Sequence, residues 1–187
     1  MNKLLLVVLA MFSSNIIANE HQQFTQQSQA AIKEFAGTLK GSLVTAMKAG
    51  GPIEAITVCN QVAPVIATEL SKKYGMEIAR TSLKVRNQNN KADGWENDVL
   101  TQFEQLKENG DPIQSLVFSE IVKSDGSQEM RMMKAIPTGK VCLTCHGSNI
   151  DQSVQKSIHE LYPDDQATGF KLGDIRGAFT VRQTIQP

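Results

Sequence analysis

The chain has 187 residues with 19 basic and 19 acidic side chains, and that balance argues against nucleic acid or an anionic membrane surface as its main partner. Hydrophobic residues make up 41% of it and charged ones 20%, enough apolar content for one buried core of ordinary domain size.

Residues 1–18 read as an export signal: Lys3, an apolar run from Leu4 to Phe12, Ile16-Ile17, and small Ala18 as the cleavage position. The run falls short of the ~20 apolar residues a bilayer span requires. The competing reading is an uncleaved anchor. Cleavage removes Lys3 and no acid, so 19 basic residues become 18 against 19 acidic. The expected product is a single periplasmic domain over 19–187, with no stable membrane span.

A polar, Gln-rich patch follows, and then a long amphipathic pattern. Ile32, Phe35, Leu39, Leu43 and Met47 recur at steps of three and four, predicting a helix that Gly50-Gly51-Pro52 stops. In a second helix Ile53, Ile56, Cys59, Ala63, Ile66 and Leu70 share one face. Cys59 therefore points inward, and Pro64 predicts a kink just after it, with room for a planar ligand. The competing reading of Cys59 is a small buried hydrophobe.

Glu77 to Leu83 predicts a short strand, and Asn87 to Asn90 a polar loop. Trp95, Val99, Phe103 and Leu106 mark a third helix, ended by Asn109-Gly110-Asp111-Pro112. Leu116 to Val122 is apolar on both faces, which predicts a central strand. Ser124-Asp125-Gly126-Ser127 predicts a hairpin turn, and Met130 to Ile136 the return strand.

That strand leads into Cys142-Leu143-Thr144-Cys145-His146, the attachment signature of a c-type haem. Each thiol adds to one haem vinyl group, and His146 is then held where its imidazole meets the iron. A redox disulfide and half of a zinc site are the alternatives. A zinc site needs more ligands, and only Cys59, His21 and His159 remain. Beyond the motif, Val154, Ile158 and Leu161 predict a short helix closed by Pro163. Phe179, Val181 and Ile185 alternate with polar residues, predicting a half-buried last strand. Helices first and antiparallel strands later define an α+β class.

These residues resemble the Tll0287-like haem domain family over nearly all of the mature length. The pieces carrying the resemblance are Ala55-Ile56-Thr57-Val58-Cys59, Arg80-Thr81-Ser82 with Arg86-Asn87, Trp95-Glu96, Cys142-x-x-Cys145-His146-Gly147, Tyr162-Pro163-Asp164-Asp165 with Ala167 and Gly169, and Gly173-Asp174-Ile175-Arg176-Gly177-Ala178. The resemblance implies a PAS-like antiparallel sheet flanked by helices, with one covalent haem c. It also implies that His146 and Cys59 are the two axial ligands. Rivals to Cys59 are His159, Met132 and Met133. Many family members precede a membrane segment and a signalling domain, and this sequence ends at Pro187 without one.

A thiolate ligand stabilises ferric iron and lowers the reduction potential relative to methionine. Arg80 and Arg86 are candidates for the haem propionates, because a guanidinium matches a carboxylate through two parallel hydrogen bonds; the alternative for both is ordinary surface charge. Arg176 is a weaker candidate that a turn at Gly173–Gly177 also explains. The expected function is redox or ligand sensing, or single-electron transfer, with an unidentified redox or signalling partner protein. Filled axial positions disfavour catalysis. The competing class is a small haem enzyme, a peroxidase or an NO- or O₂-handling protein, with a displaceable sixth ligand.

Overall fold

The computed structural model describes residues 2–124 and 126–185, with side chains described over 19–123 and 126–185. The expected export signal, residues 1–18, lies outside the residues whose side chains are described. Among the described residues no helix is long and apolar enough to cross a membrane.

Helix α1 spans Asn2–Thr57 and is broken at Gly51, where φ is 72° and ψ −159°. Residues with a Cβ rarely adopt that conformation. The chain reverses there into a helical hairpin. Glu34 on the outgoing arm bonds Lys73 at 2.7 Å and Tyr74 at 2.8 Å on α2, Ala63–Tyr74. Leu39, Leu43 and Met47 pack against Ala55, Val58 and Val62 across the hairpin. Pro52 opens the returning arm, where its missing N–H leaves no helical carbonyl unpaired.

Between the returning arm and α2, Val58–Val62 form one π-helical turn that carries Cys59. The expected kink after Cys59 is therefore a widened turn around it, and Pro64 itself lies in the first turn of α2. A proline ring collides with the carbonyl four residues back, and one extra residue in the turn relieves the collision. The extra residue also changes the phase of the buried stripe. Ile53, expected on that stripe, is 49% exposed, while Ile56, Ala63, Ile66 and Leu70 are buried.

Four strands, β1 (Glu77–Thr81), β2 (Val117–Ser124), β3 (Ser127–Pro137) and β4 (Ile175–Ile185), form an antiparallel sheet in the order β1-β4-β3-β2. Strand β2 is thus an edge, not the central strand its composition predicts. Its residues are apolar both ways because both sheet faces are covered. Ile121 packs with Phe24, Ile32 and Met132 on the α1–α2 side. Phe118 packs with Trp95, Phe103 and Met133 on the side of α3, Gly94–Glu108. For the same reason β4 is not half-buried along its length: Gly177 to Val181 are all buried, and exposed residues reappear only from Arg182. The α+β class holds, with helices on both faces of the sheet.

The Cys142–His146 segment lies between β3 and β4. A 3₁₀ turn, Lys140–Cys142, leads into the single-turn α4, Leu143–His146. Helix α5, Gln152–Leu161, then packs Val154 and Ile158 against Ile56 of the returning arm. Leu161, expected to be apolar-facing, is 44% exposed, and the neighbouring Tyr162 fills that place instead.

Candidate functional site

One cleft takes its walls from both arms of the hairpin, from the end of β1, and from the Cys142–His146 turn. It holds about 1180 Å³ free of protein atoms, its open mouth included. Cys59, Cys142, Cys145 and His146 all line it, with Leu39, Leu43, Met47 and Ile56 as its greasy wall. All three cysteines are unpaired. Residues 83 or more apart in sequence therefore meet on one surface, because the hairpin brings the π-helical turn beneath the loop between β3 and β4.

His146 is fixed by its far nitrogen. Nδ1 lies 2.7 Å from the Ala167 carbonyl, which accepts its proton and leaves Nε2 with a free lone pair. Arg176 Nε lies 3.2 Å from Nδ1 and 3.5 Å from Nε2, so its N–H faces the ring, since Nδ1 already carries the proton given to Ala167. Phe170 meets the ring edge-on at 6.2 Å. Burial, then the charges of Arg176 and Arg86, push the His146 pKa down to about 2, against the Ala167 hydrogen bond. The imidazole is thus neutral, as a metal ligand must be.

Arg86 is bolted in place. Its Nη2 donates to the Cys145 carbonyl at 2.6 Å and to Asp165 Oδ2 at 2.9 Å, with both side chains of the pair more than nine-tenths buried. Its Nε is buried without a hydrogen-bond partner, as is Thr81 Oγ1, and both residues line the cleft. Arg80 also lines the cleft and, among the described residues, has no acceptor or carboxylate partner; its guanidinium sits 5.8 Å from the Phe35 ring centre. Burial lowers its pKa, while Cys59 and Tyr162 act in the opposite direction. Neither arginine is a surface charge. Burial raises the Cys145 pKa against the pull of Arg86, and raises that of Tyr162, with the Asn60 side chain acting in the opposite direction.

The rivals to Cys59 lie elsewhere. Met132 and Met133 are fully buried on opposite faces of β3, and His159 is exposed on α5. Arg176 does more than pin a turn, since it bridges Ser82 at 3.1 Å and the Lys84 carbonyl at 3.2 Å while facing His146. Sequence reasoning assigned no role to Thr81, Tyr162 or Asp165. All three stood in the family pattern, in Arg80-Thr81-Ser82 and Tyr162-Pro163-Asp164-Asp165, a signal that marks a residue without saying what it touches.

The donor set suits the tetrapyrrole that the motif predicts. It pairs an apolar wall for a macrocycle with orphaned donors on Arg86 and Thr81 and an unpaired Arg80 for its carboxylates. Among the described residues no three of His, Cys, Asp and Glu are grouped to hold a bare metal ion. Among the described residues β1 to β4 pair antiparallel throughout, which is not the βαβ setting of a thioredoxin-type disulfide.

A family model described as Tll0287-like matches residues 12–184. Among solved structures, the crystal structure of the cyanobacterial haem protein Tll0287 superimposes with a TM-score of 0.68 at 22% identity, over 88% of this chain and 98% of that one. No curated protein matches.

Proposed function

The chain belongs to the Tll0287-like family, and from that premise we propose that it is an exported, periplasmic protein carrying one haem c and serving redox or ligand sensing or single-electron transfer. Residues 1–18 are its signal peptide and residues 19–187 its single, PAS-like haem domain. The antiparallel sheet with helices on both faces supports that description of the fold.

The observation that carries the reading is the convergence of Cys142, Cys145, His146 and Cys59 on one cleft. When bound, the haem supplies a one-electron Fe(III)/Fe(II) couple. Cys142 and Cys145 are the thioether anchors. His146 offers Nε2 as one axial ligand, because Ala167 holds Nδ1. Cys59 is the other axial ligand, and its thiolate favours the ferric state. Arg80 and Arg86, with Thr81 beside them, bind the propionates.

The test is attachment. Haem should stay with the polypeptide through acid–acetone extraction and denaturing electrophoresis, and Cys142→Ala with Cys145→Ala should release it. Haem that remains in the double variant, or none in the wild type, would remove the assignment. The spin state of the ferric protein then separates the carrier or sensor, low-spin, from the enzyme class, which needs an open position.

A further inference from the structure

We propose that Asp165 is a positioning residue for His146, acting through Ala167; the inference rests on the haem reading above. Asp165 Oδ1 accepts the Ala167 N–H at 2.8 Å, and Oδ2 accepts Arg86 Nη2 at 2.9 Å. The Ala167 carbonyl accepts from His146 Nδ1 at 2.7 Å and from the same Arg86 nitrogen at 3.3 Å. Ala167, fully buried, is therefore held at its N–H by Asp165 and at its carbonyl by the histidine and the arginine. Arg86 closes the circuit on the Cys145 carbonyl at 2.6 Å. The same loop is docked on the motif at two more points, Gly169 N–H to Gly147 at 3.0 Å and Phe170 N–H to His146 at 2.9 Å.

A buried ion pair is seldom more stable than a well-packed apolar pair of the same volume. What this one adds is a single position for the Ala167 carbonyl. A histidine whose Nδ1–H is fixed on an acceptor cannot turn about its Cβ–Cγ bond, and its Nε2 becomes the stronger donor to a metal. Asp165 thus sets both the ring orientation and the basicity of the ligand from two contacts away. Asp164, its neighbour in sequence, accepts from the Gln88 side chain at its backbone carbonyl.

The test compares the wild type with Asp165→Ala and Asp165→Asn in the full chain, reading covalent haem on a denaturing gel, the ferric electron paramagnetic resonance g values, and the reduction potential. Asp165→Ala should keep its haem, broaden or split the low-spin g values, and move the Fe(III)/Fe(II) equilibrium toward ferrous by about tenfold, ~59 mV for one electron. Asp165→Asn retains an oxygen for the Ala167 N–H and should shift both readouts less. It also decides the matter by the same readouts if Asp165→Ala does not accumulate. Attached haem with unchanged g values and potential in Asp165→Ala overturns the proposal and leaves the haem reading standing. A wild type without attached haem overturns both.

Discussion

Arg86 and Asp165, 79 positions apart in sequence, form an ion pair of 2.9 Å with side chains only 8% and 9% exposed. The pair joins the segment after β1 to the loop after α5, and through the Cys145 carbonyl to the motif turn. Arg86→Met leaves a buried carboxylate without its partner, which costs about 3–5 kcal/mol. At ~2–4 °C per kcal/mol for a chain of this size, the melting temperature should fall by about 10 °C. Adding Asp165→Leu should recover part of the loss. A single variant that melts with the wild type would show the pair to be without weight in the fold.

Cys59→Ser removes the sulfur without changing the packing volume much. The ferric protein should lose its thiolate-to-iron charge-transfer absorption, its potential should rise, and cyanide should bind faster to the freed position. Covalent haem should remain. Met132→Leu and Met133→Leu, both deep in the sheet core, should leave the spectrum as it is. An unchanged spectrum and potential in Cys59→Ser would return Cys59 to core filler.

Gly177 has φ +152°, and a Cβ built on it falls inside contact distance of the Thr81 carbonyl oxygen, on the neighbouring strand. That neighbour is backbone and cannot turn aside. Gly177→Ala should destabilise by about 2–3 kcal/mol, from strain at a glycine conformation and overpacking together. It should also disturb the cleft, because Thr81 and Gly177 both line it. Denaturant unfolding measures the first effect and the haem spectrum the second.

Asp93 caps α3 in a capping box: its Oδ1 accepts from Glu96 N at 2.8 Å, and Glu96 Oε2 accepts from Asp93 N at 3.1 Å. Burial pushes its pKa up, but the Glu96 N–H and the Arg131 guanidinium at 2.7 Å prevail and hold it below the usual carboxylate range. A folded-state pKa below the unfolded one gives stability that is complete above the unfolded value and lost as pH falls through the folded one. Asp93→Asn should therefore flatten the acid limb of the stability curve below about pH 4, while Asp93→Ala should cost about 1 kcal/mol at neutral pH. An acid limb identical to the wild type in Asp93→Asn would place the titrating group elsewhere.

Local chemistry made much of this protein legible from its residues alone. The Cys-x-x-Cys-His spacing is read as a haem-attachment motif within five positions, and Gly50-Gly51-Pro52 stops a helix for reasons held within three. The helix periods, the hairpin at Gly126 and the α+β order rest on contacts between neighbours in sequence. Strand position did not follow in the same way. Leu116 to Val122 reads as central because it is apolar on both faces, yet helices covering both faces give an edge strand the same composition. The half-buried pattern expected of β4 failed on the same point.

The residues of the candidate site divide along that line. Cys142, Cys145 and His146 are specified by their mutual spacing, and Cys59 was drawn in by its helix face and by the family pattern. Whether Arg80 and Arg86 lie at the surface or in the cleft depends on which partners surround them, and no spacing encodes that. The acceptor for His146 Nδ1 is a backbone carbonyl, which any residue carries, so Ala167 had no signature to find. Asp165 meets Ala167 within its own loop, but it gains its role only once Arg86 and the Cys145–His146 turn arrive from two other segments. Sequence by itself determined the spacing of the motif and the local turns because those are short-range; the reversal at Gly51 and the antiparallel pairing of the sheet decided which distant groups share the cleft, because burial and pairing are settled only when the segments pack.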